Sequence, residues 1–279
     1  MENGNDKVTT ECLNCNTYVA GYFCPQCGQS VRDNTDRSIG KLLGDFLDNI
    51  FFYDNRFLIS LRYLFRYPSR ITVEFLAGKR KKFVSPVTLF LFVNVIYFFV
   101  NPLSDYSISL EDQYTQPYAP LIKDWINGRL QNEGLDFSTY SSTYQNMSDT
   151  ISKSVIIINI PMIALGVYLM AFKKRRFYYD SLIFTFHFFS LFLASWILLD
   201  WIDTLIAMLA GHEESVIAAI SFLLFTFAIP LCYAILGMKK FLDIKWYWAI
   251  PGGIGVILAV AFANVCYRLI IFILSMWFT

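Results

Sequence analysis

Apolar residues are grouped along most of this chain into runs long enough to cross a lipid bilayer. Windows of about 19 residues pick out five runs, at residues 84–100, 154–172, 182–202, 216–238 and 248–267. A helix rises about 1.5 Å per residue, so runs of this length can span the roughly 30 Å of a hydrocarbon core. The pattern predicts an all-α polytopic membrane protein with about five transmembrane helices. A further apolar stretch at residues 269–278 leaves the end of the fifth span open.

The chain before the first run has an amphipathic pattern instead. Apolar residues recur at helical spacings between residues 39 and 51, with charged residues opposite them, and predict a first amphipathic helix. A second is predicted around Arg62, Arg66 and Arg70, which form an i, i+4, i+8 row interrupted by a proline. Such helices either lie in the headgroup layer, where arginines meet anionic lipid, or pack against the cytoplasmic ends of the spans. Residues 38–82 are therefore predicted to be interfacial, and residues 83–279 to form the transmembrane domain.

The composition supports a membrane location. Hydrophobic residues make up 56% of the chain and charged residues 16%, which is too apolar for one soluble globule of this length. Acidic residues are interleaved with the basic ones, so the composition does not favour nucleic-acid binding.

The distribution of lysine and arginine predicts the orientation. Residues 32–82 contain 11 Lys or Arg against 6 Asp or Glu, and further basic clusters lie at residues 173–176 and 239–240. The loop at residues 102–153, for which a short helix is predicted, holds 7 acidic and 3 basic residues. The positive-inside rule then places the N-terminus in the cytoplasm and the C-terminus outside. Four basic side chains come directly before the first span and act as its anchor: Lys79, Arg80, Lys81 and Lys82.

Two Cys-x-x-Cys turns near the N-terminus predict a metal site. Cys12 and Cys15 form the first turn, and Cys24 and Cys27 form the second. Two such turns facing each other supply the four thiolates of a structural zinc site. Asn16 and Gly28, just after each turn, suit the positive φ that this position needs (Gly28 above all). We therefore predict a small zinc-ribbon-like hairpin at residues 8–32, the cysteine module, with Tyr22 and Phe23 as its core.

The cysteines have two other possible interpretations. Disulfides would be expected in a secreted chain, but residues 1–30 show no basic start, apolar run or cleavage site of a signal peptide. A four-sulfur iron site is the second alternative, although nothing else in the sequence suggests electron transfer. A reducing cytosol favours a metal over disulfides.

A motif that runs from residue 54 to residue 86 resembles a known family. Its residues are Asp54, Asn55, Arg56, Phe57, Leu61, Leu64, Pro68, Ile71, Phe75, Leu76, Ala77, Gly78, Lys79, Arg80, Phe83 and Pro86. This pattern, after an N-terminal pair of Cys-x-x-Cys turns, is similar to that of bacterial membrane proteins grouped as the "domain of unknown function 3667" family. The resemblance covers residues 12–100, implies a protein of the bacterial inner membrane, and carries no catalytic residue.

Few other residues suggest chemistry. Asp200 and Asp203 close the third predicted span at its outer end, and Arg268 lies at a similar depth beside the fifth, so we predict an intramembrane ion pair. His187, inside the third span, is expected to take a packing or hydrogen-bonded role. Protease, hydrolase and nucleotide-binding motifs are not found in the sequence.

These observations favour a non-enzymatic adaptor or regulatory protein whose zinc-binding cytosolic module contacts a protein partner. The alternative is an oligomeric small-molecule or lipid transporter, suggested by Pro161 and Pro230 inside the spans and by the expected charge pair. An enzyme is not favoured, because no constellation of reactive residues is found. Zinc, anionic lipid headgroups and a protein partner are the expected ligands.

Overall fold

The structure is a computed structural model of the chain. It describes residues 10–31, 38–40, 55–67, 69–100, 108–133, 136–174, 176–210 and 216–278. The first predicted amphipathic helix, near residues 39–51, falls almost entirely outside these ranges.

The N-terminal part of the described chain is a very short β-hairpin. Strand β1 (Thr10–Glu11) pairs with strand β2 (Tyr18–Val19) in an antiparallel register, with Thr10 opposite Val19. An isolated bridge between Phe23 and Ser30 closes the second Cys-x-x-Cys turn in the same way. Strands this short contribute little to stability, so the module must depend on interactions other than those of its sheet.

The rest of the described chain is helical. The helices are α1 (Asn55–Arg66), α2 (Arg70–Leu76), α3 (Pro86–Val100), α4 (Ala119–Glu133), α5 (Phe137–Val155), α6 (Asn159–Ala171), α7 (Tyr178–Ala210), α8 (Val216–Leu223), α9 (Ile229–Leu242) and α10 (Trp246–Phe278). A 3₁₀ turn, Ile156–Ile158, joins α5 to α6, and a π-helical turn, Leu224–Ala228, joins α8 to α9.

The second predicted amphipathic helix is two helices in the structure. Ser69, with φ of 62°, separates α1 from α2. Arg62 and Arg66 are therefore on α1, whereas Arg70 begins α2, so the predicted row of three arginines does not continue along one helix. The proline at position 68 disfavours a helical residue before it, which explains the break.

Local sequence signals mark the ends of the next elements. Helix α2 ends at Leu76, and Gly78 follows with φ of 97°, the conformation for which glycine is favoured at a helix stop. Helix α3 begins at Pro86, and the Ser85 hydroxyl accepts a hydrogen bond from the backbone N–H of Thr88 at 3.1 Å. This is an N-cap followed by proline at the first helical position.

The all-α membrane fold class is confirmed, with one difference in the spans. Four helical segments of the described chain are long and apolar enough to cross a membrane: Phe137–Lys174, Tyr178–Ile206, Ala219–Leu242 and Trp246–Phe278. The first predicted span corresponds to α3, which has 15 residues and a length of about 22 Å, below the roughly 30 Å of the hydrocarbon core. The structure thus has four long spans and a shorter fifth apolar helix.

Helix α7 is the central element of the bundle. It packs against α3, α6 and α9, and most of its side chains between residues 179 and 195 are buried. Helix α10 packs against α9 and α6 at glycines, where backbones approach closely. A Cβ atom at Gly253 would lie 2.7 Å from the backbone nitrogen of Ile235, and one at Gly166 would lie 2.7 Å from Ala259 Cβ. These close approaches give Gly253 and Gly166 a packing role between helices.

The apolar stretch at residues 269–278 belongs to α10, which is continuous over 33 residues. At about 1.5 Å per residue this helix is about 50 Å long, so it extends beyond a bilayer core. Its end carries Phe272 and Met276 into a second hydrophobic cluster with Tyr140 and Tyr144 of α5 and Ile126 of α4. The predicted outer loop, residues 102–153, therefore includes two helices that pack on this extension.

Candidate metal centre

The four cysteines of the N-terminal turns form one cluster. Their sulfur atoms all lie within 4.8 Å of one another. Cys12 Sγ is 3.6 Å from Cys27 Sγ, and Cys15 Sγ is 3.4 Å from Cys24 Sγ. In a tetrahedral site with Zn–S bonds of about 2.3 Å, neighbouring sulfurs are about 3.8 Å apart. The observed spacing therefore fits a four-sulfur metal site and needs only small adjustments.

The two Cys-x-x-Cys turns have the same backbone geometry. The N–H of Asn16 donates to the Cys12 carbonyl at 2.8 Å, and the N–H of Gly28 donates to the Cys24 carbonyl at 2.9 Å. Asn16 has φ of 60° and Gly28 has φ of 68°. The expectation of a positive φ after each turn is confirmed, and it explains why these residue types follow the cysteines.

The thiols differ in their electrostatic surroundings. Hydrogen bonding with Thr17 lowers the pKa of Cys15 to about 6, whereas burial raises the pKa of Cys27 to about 12. A metal binds cysteine as the thiolate, so binding here releases protons and strengthens as the pH rises. The lowered pKa of Cys15 makes its thiol easier to ionise near neutral pH than that of Cys27.

The aromatic residues expected to form the core of the module do not do so. Tyr22 is 60% exposed and Phe23 is 67% exposed. The buried apolar residues of the module are Cys12, Val19 and Cys24. The prediction of an aromatic core is wrong because the cysteine side chains themselves fill the small interior, where a metal would supply the missing cohesion.

The cysteines are free thiols in the structure, so the disulfide reading receives no support. A tetrahedral set of four sulfurs suits both zinc and iron. The geometry establishes a cluster that could hold a metal ion.

Gln29 attaches the cysteine module to the loop between α2 and α3. Its side chain is 3% exposed. The side-chain amide donates to the Gly78 carbonyl at 2.7 Å, and its oxygen accepts from the N–H of Lys81 at 3.3 Å. One buried glutamine therefore satisfies a donor and an acceptor of a loop that is about 50 residues away in sequence.

Glu74, on α2, organises the charges next to this loop. It is 7% exposed, and its two carboxylate oxygens accept from Arg70 at 2.7 Å and from Lys82 at 2.6 Å. Lys82 also donates to the Tyr63 hydroxyl at 2.8 Å, which ties α1 to the same network. Burial alone would raise the pKa of Glu74, but the hydrogen bonds from Lys82 and Arg70 lower it below its ordinary value.

The basic side chains predicted to face lipid have different surroundings. Arg62, Arg66 and Lys81 are exposed, whereas Lys79 and Arg80 are partly buried. The Arg80 guanidinium lies 5.8 Å from the centre of the Phe75 ring. Arg70 and Lys82 form ion pairs with Glu74, so these two side chains have a partner within the protein. Contact of the basic side chains with lipid stays a prediction.

His187 lies deep in the bundle and joins α7 to α2. Its Nδ1 atom is 2.9 Å from the hydroxyl oxygen of Thr72, and both side chains are buried. The hydrogen-bonded role expected for this histidine is confirmed. The sequence did not identify Thr72 as its partner, because the two residues are 115 positions apart.

Arg268 contacts a side chain that the sequence did not indicate. Its guanidinium donates to the side-chain oxygen of Gln116 at 3.3 Å, in the segment that precedes α4. Asp203 accepts from the hydroxyl of Ser221 at 2.9 Å, and Asp200 lines a small cleft near Val100. The structure thus brings Arg268 against the segment that precedes α4, and its ion pair with Asp200 or Asp203 stays a prediction.

Together these features define a class: a multi-pass helical membrane protein that carries a four-cysteine module. Residues 54–98 match the model of a family described as "Protein of unknown function (DUF3667)". The match covers α1, α2 and most of α3, supports membership of that family, and confirms the resemblance over these residues. No curated protein and no solved structure gives a match.

Proposed function

We propose that this protein is a non-enzymatic adaptor or regulatory protein of the bacterial inner membrane. In this proposal the cysteine module lies in the cytoplasm, binds one zinc ion, and presents a surface to a protein partner. The observation that carries the proposal is the attachment of the module, through buried Gln29, to the loop at Gly78 and Lys81 within the family segment (residues 54–98). A partner bound to the module would thereby be held at the base of the membrane bundle.

A structural role for the metal follows from the ligand set. Four cysteine sulfurs complete the tetrahedral shell of zinc and leave no open position for a substrate, which is the usual arrangement of structural sites. Zinc is favoured over iron because a metal that only folds the module needs no redox chemistry. The site would stabilise the module and take no part in a reaction.

The exposed aromatic side chains of the module supply a surface for the partner. Tyr18 is 75% exposed and Phe23 is 67% exposed. Aromatic residues are enriched at protein interfaces and often contribute most of the binding energy. In such a small module they add nothing to the core, so a binding role accounts for them better than a folding role.

The test is co-purification of the full chain in mild detergent. The wild-type protein should retain a stoichiometric partner, and the double variant Tyr18→Ser, Phe23→Ser should lose it while keeping its zinc. Leu121→Ser, at an exposed apolar position of α4, is the control and should keep the partner. The proposal fails if the double variant retains the same partner as the wild-type chain, or if neither protein retains one.

A transporter is the second candidate. It is favoured by the π-helical turn Leu224–Ala228 directly before Pro230, because such irregular turns inside spans often mark functional sites. If the protein is an oligomeric transporter, the flux of its substrate into proteoliposomes should persist after residues 10–31 are deleted. The adaptor should lose its partner on the same deletion and show no flux, so the two candidates give opposite results.

A further inference from the structure

The ends of three membrane helices enclose a cleft that lies apart from the cysteine module. The cleft has a volume of about 750 Å³ and is formed by the end of α6, the end of α9 and the start of α10. Each of these helices belongs to a candidate span. If these segments span a bilayer, their common end is expected at the border between the hydrocarbon core and the headgroup layer.

Basic side chains form the rim of the cleft. Lys173, Lys174 and Lys245 line it and are exposed, against one lining acid, Asp243. The segment that carries Lys173 and Lys174 is held against the end of α9, because Arg176 donates to the carbonyl of Phe241 at 2.6 Å. The fold thus concentrates positive charge from two separate parts of the sequence around one opening.

The floor of the cleft is apolar. Met170, Met238 and Pro251 contribute to it. Met170 lies directly against the backbone of Gly255, where a Cβ atom would overlap its sulfur, so the small residue makes this arrangement possible. A basic rim above an apolar floor matches the two ends of a phospholipid.

Aromatic residues mark the same level of the bundle. Trp246, Tyr247 and Trp248 are exposed at the start of α10, as expected for side chains at the membrane interface. Lys239 Nζ lies 4.1 Å from the centre of the Trp246 ring, which holds a further cation near the cleft. These residues place the rim where lipid phosphates lie.

We propose that this cleft binds one anionic phospholipid. The headgroup phosphate lies between Lys174 and Lys245, and an acyl chain runs along the floor past Met170 and Met238. Charge complementarity selects an anionic lipid over a zwitterionic one, since basic pockets between membrane helices favour acidic headgroups. The apolar floor selects a lipid over a soluble phosphate.

The test is a titration of the delipidated full chain, monitored by native mass spectrometry. Phosphatidylglycerol should bind at one molecule per chain, at least tenfold more tightly than phosphatidylcholine with the same acyl chains. The double variant Lys174→Gln, Lys245→Gln should reduce this affinity at least tenfold. The control, Lys123→Gln, Lys153→Gln, removes the same charge from exposed positions outside the cleft and should have no effect.

Three results would overturn the proposal. The first is equal affinity for the two lipids, and the second is an equal loss in the control variant. The third is binding of glycerol phosphate as tight as that of the lipid, which would identify a soluble ligand. The substituted lysines are exposed, so both variants should fold, and the single substitution Lys245→Glu provides a second variant that should also weaken phosphatidylglycerol binding.

Discussion

Replacing Gln29 by alanine tests how the cysteine module is attached. The change removes the hydrogen bond to the Gly78 carbonyl at 2.7 Å and the longer one from the Lys81 N–H at 3.3 Å. The backbone carbonyl of Gln29 still accepts from Cys24, so the second cysteine turn keeps its geometry. The variant should therefore weaken the attachment of the module without removing its metal.

The size of the effect follows from these two contacts. A net hydrogen bond contributes about 0.5 to 1.5 kcal/mol, and the 3.3 Å bond lies at the weak end of that range. Together they should be worth about 1 to 2 kcal/mol, which raises the population of the detached state roughly 5- to 30-fold. Exchange of the Lys81 amide should accelerate by a similar factor, because this N–H loses its acceptor.

The assay is hydrogen exchange, measured by mass spectrometry on peptides that cover residues 77–83, with the zinc content measured in parallel. Gln26→Ala is a matched control on the same module, because Gln26 is exposed and its side chain accepts from Thr17. Exchange at residues 77–83 should increase in Gln29→Ala and remain unchanged in Gln26→Ala. Equal exchange in both variants and in the wild type would refute the docking contact.

Two further predictions concern the membrane domain and the charge network. Gly253→Ala should destabilise the protein by about 1 to 3 kcal/mol, because the new methyl meets the Ile235 backbone, whereas Gly252→Ala makes ordinary contacts and should leave the thermal midpoint in detergent nearly unchanged. Glu74→Gln should cost about 1.5 to 3 kcal/mol. Lys82 and Arg70 lower the pKa of Glu74 below its ordinary value. The stabilisation from Glu74 is therefore present above that ordinary pKa and lost as the pH falls through the lower pKa of the folded protein, and the variant should lack this acid dependence.

Local chemistry could be predicted well from the sequence. The cysteine spacing identified a cluster that could hold a metal ion, and the residues after each turn indicated a positive φ, as Gly28 shows. Gly78 as a helix stop and Ser85 with Pro86 as a helix start are signals of the same local kind. Each of these signals depends on backbone geometry within a few residues, so no distant contact can change it.

Contacts between distant segments could not be predicted. The Gln29 contact with Gly78 and the Thr72 contact with His187 join residues far apart in sequence, and each polar side chain has several acceptable partners. Phe23 was wrongly assigned to a core because an apolar residue is usually buried, whereas here sulfur atoms occupy the interior. Arg268 contacts Gln116 in the segment that precedes α4, within a stretch predicted mainly as loop.

The metal content of the purified full chain tests the central claim most directly. X-ray absorption of the protein should show one zinc ion per chain with four sulfur neighbours at about 2.3 Å. The variant Cys24→Ser should lose this signal, because three sulfurs cannot complete the shell. Protein without metal in which Cys15 is disulfide-bonded to Cys24, or a sulfur shell around iron in place of zinc, would contradict the account.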